Sequence, residues 1–258
     1  MAKVGVLLSG CGVQDGSEIY ESVLTILALE KAGADVVALA PDVPQAHVVN
    51  HYKGQEEREI VPLGGGHGGR NVLAESARIV RGKITGVEQV SAHDLDALVI
   101  VGGYGVVKNL CTFASDGVDA TVNPDIERLI VEMNGLGKPI GAMCAGPILV
   151  ALCLRGKAVS LTVGNEASTA LALTRLGAHH VTSNVDEIHT DTTNKIVSTA
   201  AFFSAQSVSE AEPGIYALVN RVLAMTAGQT VPRATGVASG PDEYSRMDAG
   251  LNTPNATM

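Results

Sequence analysis

The chain has 258 residues, a length that fits one α/β domain or at most two. Hydrophobic residues make up 46% of the sequence and charged residues 17%, a composition that forms a core and excludes wholesale disorder. The 27 acidic residues outnumber the 18 basic ones, for a net charge of −9, and Lys and Arg are not clustered. A phosphate-binding surface needs such a cluster, so we expect no nucleic-acid partner.

A membrane partner is not expected either. The longest apolar stretch, Ala97 to Val107, is interrupted by glycines and is too short to span a bilayer. The first residues, MAKVGVLLSG, have too short an apolar run for a signal peptide. We therefore expect a soluble, cytoplasmic protein. The 4 cysteines form no CxxC pair, so in a reducing compartment each thiol is either buried filler or a reactive nucleophile.

Strands and helices alternate along the chain. The pattern predicts buried strands over 3–8, 35–40, 96–101, 139–143 and 157–162, and a hairpin of 185–189 with 195–198. It predicts one helix that begins at a Ser17 cap and ends at Gly33. Further helices are predicted over 71–81, 123–136, 146–154, 166–176 and 203–227. Repeated β-α units with short connections predict an α/β fold with a doubly wound, mostly parallel sheet and helices on both faces.

The domain is predicted to cover residues 1–227. From Gly228 to Met258 the sequence is dominated by Gly, Pro, Ser, Thr and Asn, which predicts a disordered C-terminal tail.

The candidate nucleophile is Cys144. An apolar strand turns at once into a helix at this residue, and the neighbours Ala142, Ala145 and Gly146 are small enough for the tight turn of a nucleophile elbow. The sulfur would face the N-terminus of the following helix, whose partial positive charge favours a thiolate. The alternative is a buried core cysteine beside the end of a strand.

Further candidates lie at the same carboxyl edge of the sheet, where doubly wound folds bind ligands. The backbone N–H groups of Gly103 and Ala145 could form an oxyanion hole, although a loop that simply requires glycine is the plainer interpretation. Glu18 and Glu21 open the helix after the first strand and share one face, so either could hydrogen-bond the thiol and move protons. Ordinary acidic enrichment in a first helical turn is their alternative interpretation.

Two competing motifs are weaker. Gly10, Gly12 and Gly16 resemble a dinucleotide fingerprint, but Asp15 stands where the third glycine should be and would repel a pyrophosphate. His47 and His51 have a zinc-ligand spacing without a third ligand, so we expect no metal.

The sequence resembles the ThiJ/PfpI superfamily of class I glutamine-amidotransferase-like proteins. Within it, the chain is most similar to the branch of the isoprenoid-biosynthesis glyoxalase ElbB and its eukaryotic mitochondrial relatives. The segments that carry the resemblance span residues 3 to about 227; they are SGCGVQDGSEI (9–19), APDVPQAHVVNH (40–51), RNVLAESARIVRGKI (70–84), GGYGVVKNL (102–110), GKPIGAMCAGP (137–147) and NKIVSTAAF (194–202).

The resemblance implies a flavodoxin-like α/β fold with Cys144 at the elbow and a helix-borne glutamate nearby. Counting back from Gly33 favours Glu21 for this glutamate, with Glu18 as the second acid of the branch. It further implies a glutathione-independent glyoxalase that needs no cofactor and converts methylglyoxal or glyoxal to a hydroxy acid through a cysteine hemithioacetal. A small reactive aldehyde and a second copy of the chain, in a homodimer, are thus the expected partners.

The sequence departs from the family in one respect that bears on chemistry. In amidotransferase and protease relatives a His follows or faces the nucleophile, whereas Ala145 follows Cys144 here, and this argues against glutaminase and peptidase activity. The segment 59–69 is an insertion relative to the family. Two other functions stay open: a redox-sensing or protective protein with an oxidisable Cys144, and an enzyme of another addition or hydration reaction.

Overall fold

The computed structural model describes residues 1–57 and 69–227. In chain order its strands are β1 (Lys3–Leu7), β2 (Asp35–Ala40), β3 (Val49–Asn50), β4 (Gln55–Glu56), β5 (Thr85–Gly86), β6 (Ala97–Ile100), β7 (Ile140–Met143), β8 (Ser160–Leu161), β9 (His179–His180), β10 (His189–Asp191) and β11 (Ile196–Thr199). Its α-helices are α1 (Ile19–Lys31), α2 (Val72–Ile79), α3 (Phe113–Asp116), α4 (Pro124–Gly135), α5 (Gly146–Cys153), α6 (Ala167–Arg175) and α7 (Val208–Thr226). The predicted tail at 228–258 and most of the predicted insertion lie outside the described residues.

A seven-stranded sheet in the spatial order β10-β11-β7-β6-β1-β2-β5 organises the fold. All of its neighbouring pairs are parallel except β10 with β11 at one edge. The chain leaves β1 toward β2 on one side and reaches β6 on the other, so the order reverses between β1 and β6. Such a switch point leaves a crevice at the carboxyl ends of the strands.

Helices cover both faces of this sheet. One buried cluster joins the sheet to α4, α5 and α6 through side chains such as Leu129, Leu149 and Leu173. The other joins it to α1 and α7 through Leu29 and Leu218. The predicted mostly parallel α/β fold is therefore confirmed. No helix among the described ranges is long and apolar enough to cross a membrane.

Two strand predictions need correction. The predicted strand at 157–162 is reduced to β8, which pairs with β9 outside the central sheet. Two hydrogen bonds to side chains of the central sheet hold its backbone in place. The Ser160 N–H donates to Asp191 Oδ2 at 2.9 Å, and the Thr162 N–H donates to Ser198 Oγ at 2.9 Å. The predicted hairpin is present, but its first strand is β10 rather than 185–189, since Asp191 accepts the Asn194 N–H and closes the turn there.

The start of α7 also differs from the prediction. Residues 201–203 form a separate 3₁₀ turn, and the long helix begins only at Val208. The Ser207 hydroxyl fixes this start by accepting the Glu210 N–H at 3.3 Å.

Candidate active site

Cys144 occupies a strained turn between β7 and α5. Its φ is +54°, a region that residues with a Cβ seldom adopt and that is often found at functional sites. The Cys144 N–H donates to the Thr199 carbonyl at 3.2 Å, and Ala145 is the N-cap of α5. A Cβ at Gly146 would lie 3.0 Å from the Ile100 carbonyl oxygen, so the turn needs a small residue there. The local geometry is that of a nucleophile elbow.

Glu21, on the first turn of α1, is fully buried and reaches the thiol. Its Oε2 accepts the Gly102 N–H at 2.7 Å and its Oε1 accepts the Phe202 N–H at 3.3 Å, while the carboxyl group also hydrogen-bonds the Cys144 side chain. A Cβ at Gly102 would lie 2.6 Å from Glu21 Oε2 and 2.9 Å from Cys144 Sγ. Glycine after β6 therefore allows the acid and the thiol to meet.

Burial sets the protonation of this carboxyl group. Removal from water is the main reason that the pKa of Glu21 is raised to about 8, and the negative charge of Glu18 acts in the same direction. The N–H groups of Gly102 and Phe202 oppose the shift without cancelling it. Glu21 is thus mostly protonated at neutral pH and titrates within the physiological range.

The thiol is also held in its neutral form. Burial, followed by the charge of Glu21, raises the pKa of Cys144 well above its ordinary value, while the N–H groups of Gly103 and Ala145 lower it. Burial thus outweighs the effect of the helix N-terminus, which the sequence analysis expected to favour a thiolate. Deprotonation has to accompany the attack on a substrate, and Glu21 is the adjacent acceptor.

Gly103 and Ala145, the predicted oxyanion donors, do lie next to the nucleophile. Both N–H groups are near enough to the Cys144 sulfur to lower the pKa of its thiol. Gly103 has a φ of +99°, and a Cβ on it would collide with the Gly16 carbonyl oxygen. The loop after β6 is held in place by its neighbour after β1, since the Tyr104 N–H donates to the Val13 carbonyl at 2.7 Å. Two backbone donors thus converge where charge would develop.

Glu18 has a different position from Glu21. It is the N-cap of α1, and its Oε2 accepts the Glu21 N–H at 2.6 Å. The sequence assigned this cap to Ser17, but the Ser17 hydroxyl accepts the Ser9 N–H at 2.8 Å and closes the intervening loop instead. Burial raises the pKa of Glu18. Across the described residues, no hydrogen bond joins Glu18 to Cys144, so its influence on the thiol passes through Glu21.

A cavity of about 970 Å³ opens onto Cys144, Gly103 and Ala145. Sequence reasoning did not identify most of its wall, which includes Tyr104, Lys108, Phe113, Ile148, Glu166, Phe202 and Phe203. The signal that could have found one of them is the position of Tyr104 directly after the glycines that follow β6. On another wall, His47 Nδ1 lies 2.9 Å from Glu56 Oε1.

The residues of the two weaker motifs, the glycine-rich loop after β1 and the histidine pair, contribute to local packing. Asp15 is buried and its Oδ2 accepts the Val49 N–H at 2.7 Å, so the glycine-rich loop after β1 is packed against β3. His51 Nε2 accepts the Gln14 N–H at 3.2 Å, while His47 is paired with Glu56. In the parts of the chain that are described, no three His, Cys, Asp or Glu side chains are grouped as metal ligands.

A cysteine at the elbow of a mostly parallel α/β sheet, in contact with a buried helix-borne glutamate, defines the class of this protein as an amidotransferase-like α/β protein. No family model matches the sequence. The chain is 46% identical over 235 residues to "ES1 protein homolog, mitochondrial" of Rattus norvegicus, covering 87% of this chain and 84% of that protein. It is equally similar to human "Glutamine amidotransferase-like class 1 domain-containing protein 3, mitochondrial". The chain belongs to this ES1 family of glutamine amidotransferase-like class 1 domain proteins.

Solved structures agree with this assignment. An isoprenoid biosynthesis protein with an amidotransferase-like domain from Ehrlichia chaffeensis is 33% identical, with a TM-score of 0.78, over 86% of this chain and 98% of that chain. A DJ-1 superfamily protein from Salmonella typhimurium shares the fold with a TM-score of 0.50 at 18% identity, over 88% and 91% of the two chains. The amidotransferase-like part of the resemblance is confirmed, while the likeness to the DJ-1 superfamily protein is one of fold alone.

The expected cytoplasmic location is wrong. The relatives from rat, human and Danio rerio are all named mitochondrial, which points to mitochondria instead. Unpaired cysteines indicate a reducing rather than an oxidising compartment, but they do not indicate which reducing compartment it is.

Proposed function

We propose that this protein is a cofactor-independent glyoxalase that converts 2-oxoaldehydes such as methylglyoxal and glyoxal to 2-hydroxy acids without glutathione. The observation that carries the proposal is the hydrogen bond between the Cys144 thiol and the buried Glu21 carboxyl group, whose pKa is raised to about 8. The reaction needs a nucleophile for a carbonyl carbon and a group that gives and takes protons near neutral pH. This pair supplies both, with Cys144 at the wall of a cavity and Glu21 buried directly behind it.

In the first step, the sulfur of Cys144 adds to the aldehyde carbon. The ionised form of Glu21 takes the thiol proton as the C–S bond forms, and the proton then passes to the aldehyde oxygen to give a hemithioacetal. The N–H groups of Gly103 and Ala145 stabilise the negative charge that develops on this oxygen.

In the second step, Glu21 moves a proton between two carbons. Its carboxylate removes the hydrogen from C1 of the hemithioacetal, and the resulting enediol receives a proton at C2. C1 is oxidised to a thioester and C2 is reduced to an alcohol, so no external oxidant or reductant is needed. Water then hydrolyses the thioester, which releases the hydroxy acid and restores the thiol.

Turnover of methylglyoxal tests the proposal. Protein stripped with a chelator and freed of glutathione is expected to release lactate catalytically, as followed by NMR, and Cys144→Ser is expected to release none. Cys153→Ser is the matched control, because that thiol lies away from the cavity and is expected to be dispensable. Stoichiometric oxidation of Cys144 without lactate would contradict the proposal and support the redox-sensing alternative.

A further inference from the structure

Lys108 lies in an unusual helical segment beside the nucleophile. Residues Val106–Leu110 form a π-helix immediately after Gly103 and Tyr104. Such wide turns are rare and are frequently found at functional sites. Lys108 lines the same cavity as Cys144, and its side chain is partly buried.

Among the residues that the structure describes, the ammonium group of Lys108 has no negative partner. Its Nζ donates to the Gln14 carbonyl at 2.9 Å and lies 5.8 Å from the centre of the Tyr104 ring. No carboxylate within the described ranges forms an ion pair with it. An ammonium group has three donors, so two remain for a ligand.

The other charged side chains that line the cavity already have partners. His47 is paired with Glu56 at 2.9 Å. Glu166 caps α6, where it accepts the N–H groups of Ser168 and Thr169. Lys108 is thus the one Lys or Arg among the cavity-lining residues that the structure describes, and no carboxylate among them balances its charge.

The cavity is also much larger than methylglyoxal needs. Its volume of about 970 Å³ is typical of sites for larger ligands. Apolar side chains line much of it, among them Val107, Phe113, Ile148 and Phe203. These walls fit a substrate with an apolar body between its reactive aldehyde and its charged group.

We infer that the substrate is a 2-oxoaldehyde that carries a carboxylate, and that Lys108 binds this carboxylate as a specificity-determining residue. The inference rests on the proposed function. A single ammonium group with two remaining donors matches the single charge and the two oxygens of a carboxylate. The structure therefore favours a carboxylic acid.

Alkylation of Cys144 tests the charge of the site without catalysis. 4-(Iodoacetamido)butanoate and its methyl ester react with the same sulfur and differ only in a charge beyond an apolar linker, so the ratio of their rate constants reports attraction of a remote carboxylate. We expect Lys108→Met to lower this ratio about tenfold, since a charge-assisted hydrogen bond is lost. Lys108→Arg should retain most of it. Lys83→Met removes an exposed lysine before β5 and should leave the ratio unchanged. An equal ratio in wild type and Lys108→Met would overturn the inference.

Turnover of a matched substrate pair tests the same inference in the reaction. 4,5-Dioxopentanoate and its methyl ester share the oxoaldehyde and differ only in the remote charge. We expect wild-type kcat/KM to be at least about tenfold higher for the acid, and Lys108→Met to abolish the preference. Turnover of both at equal efficiency would refute the inference and leave the glyoxalase function standing. Turnover of neither would refute the function, while the alkylation ratio would still decide the role of Lys108.

Protection of Cys144 from iodoacetamide separates the two kinds of anion. Benzoate is expected to protect the wild type better than phenyl phosphate or neutral benzamide does, and Lys108→Met is expected to remove this difference. Stronger protection by phenyl phosphate would overturn the assignment to carboxylates.

Discussion

The two ends of α5 each present a cysteine, and the two thiols are in different chemical surroundings. Cys144 precedes the helix and Cys153 ends it, and the two are almost equally buried, with 5% and 8% of their surfaces exposed. Burial raises the pKa of Cys153 beyond the physiological range, and the charge of Glu127 acts in the same direction. Only Cys144 hydrogen-bonds a carboxyl group and lies near two backbone N–H groups that lower its pKa. A thiol that is only buried is therefore unreactive, whereas the thiol of Cys144 is made reactive by the carboxyl and N–H groups that other elements place beside it.

The backbone differs as well. Cys153 lies in regular helix, whereas Cys144 has a φ of +54°, a conformation that costs on the order of 1–3 kcal/mol. The surrounding sheet maintains this conformation, since the Cys144 N–H is bonded to β11 and the side chain is enclosed by β6 and α1. The reactive end of α5 is thus stabilised by parts of the chain that are far apart in sequence.

The largest effect is expected from Glu21→Gln. The amide keeps the shape and can hydrogen-bond, but it cannot carry a proton between C1 and C2, so turnover of methylglyoxal should fall about 10²–10⁴-fold. Intact-mass spectrometry should show that the adduct on Cys144 forms more slowly, because Glu21 also accepts the thiol proton during addition, and that the adduct accumulates without release of lactate. Full activity of Glu21→Gln would show that another group moves the proton.

Gly103→Ala should be the most destabilising change near the site. The new Cβ would combine a φ of +99° with a collision against the Gly16 carbonyl. Gly82→Ala is a matched control, because its φ is +85° and no atom lies within 4 Å of the added Cβ. Urea unfolding should show a loss of about 1–2 kcal/mol for the control and a distinctly larger loss for Gly103→Ala. Equal losses would show that the β6 loop adapts freely.

The pH dependence of alkylation should distinguish the two ends of α5. The pKa of Glu21 is raised to about 8, so the pair loses its first proton only as the pH rises through that value. The rate of iodoacetamide labelling at Cys144 should therefore increase about tenfold per pH unit below pH 8 and level off above it. Cys153 should stay unlabelled in the folded protein. A rate at Cys144 that is constant from pH 5 to pH 9 would contradict this titration.

Glu18→Gln should have the smallest effect. The amide oxygen can still accept the Glu21 N–H, so the cap of α1 is retained. Removing the charge eliminates the second cause of the raised pKa of Glu21, and the midpoint of the labelling profile should move to lower pH. Turnover should change only a few-fold. If Glu18→Gln abolished turnover and Glu21→Gln did not, the roles assigned to the two acids would be reversed.

Much of the site could be predicted from local sequence. Small residues around Cys144 are compatible with only a few backbone geometries, and the glycines after β6 mark a close backbone approach, so the elbow and its two N–H donors were accessible. Local sequence could not decide between Glu18 and Glu21, because both lie at the start of one helix. It depends on Phe202 and Gly102, which are distant in sequence and reach only Glu21.

The protonation of Cys144 and the position of Lys108 could not be predicted from the spacing of residues in the sequence. The protonation of Cys144 follows from complete burial, which helix-dipole reasoning could not include. Lys108 was missed because a π-helix changes which residues face the same side, so the usual period of 3.6 residues does not place it on the cavity wall.

The edges of the sheet bear on how copies of this protein could associate. At one edge β5 has only two residues, and at the other the antiparallel β10 has three. Such short strands offer few free backbone groups to a neighbouring chain, which is one way in which natural proteins avoid growing into extended aggregates. The homodimer remains a prediction, and the shape of the sheet indicates that its interface would join helices or loops. Many copies can then share a crowded compartment without their sheets merging.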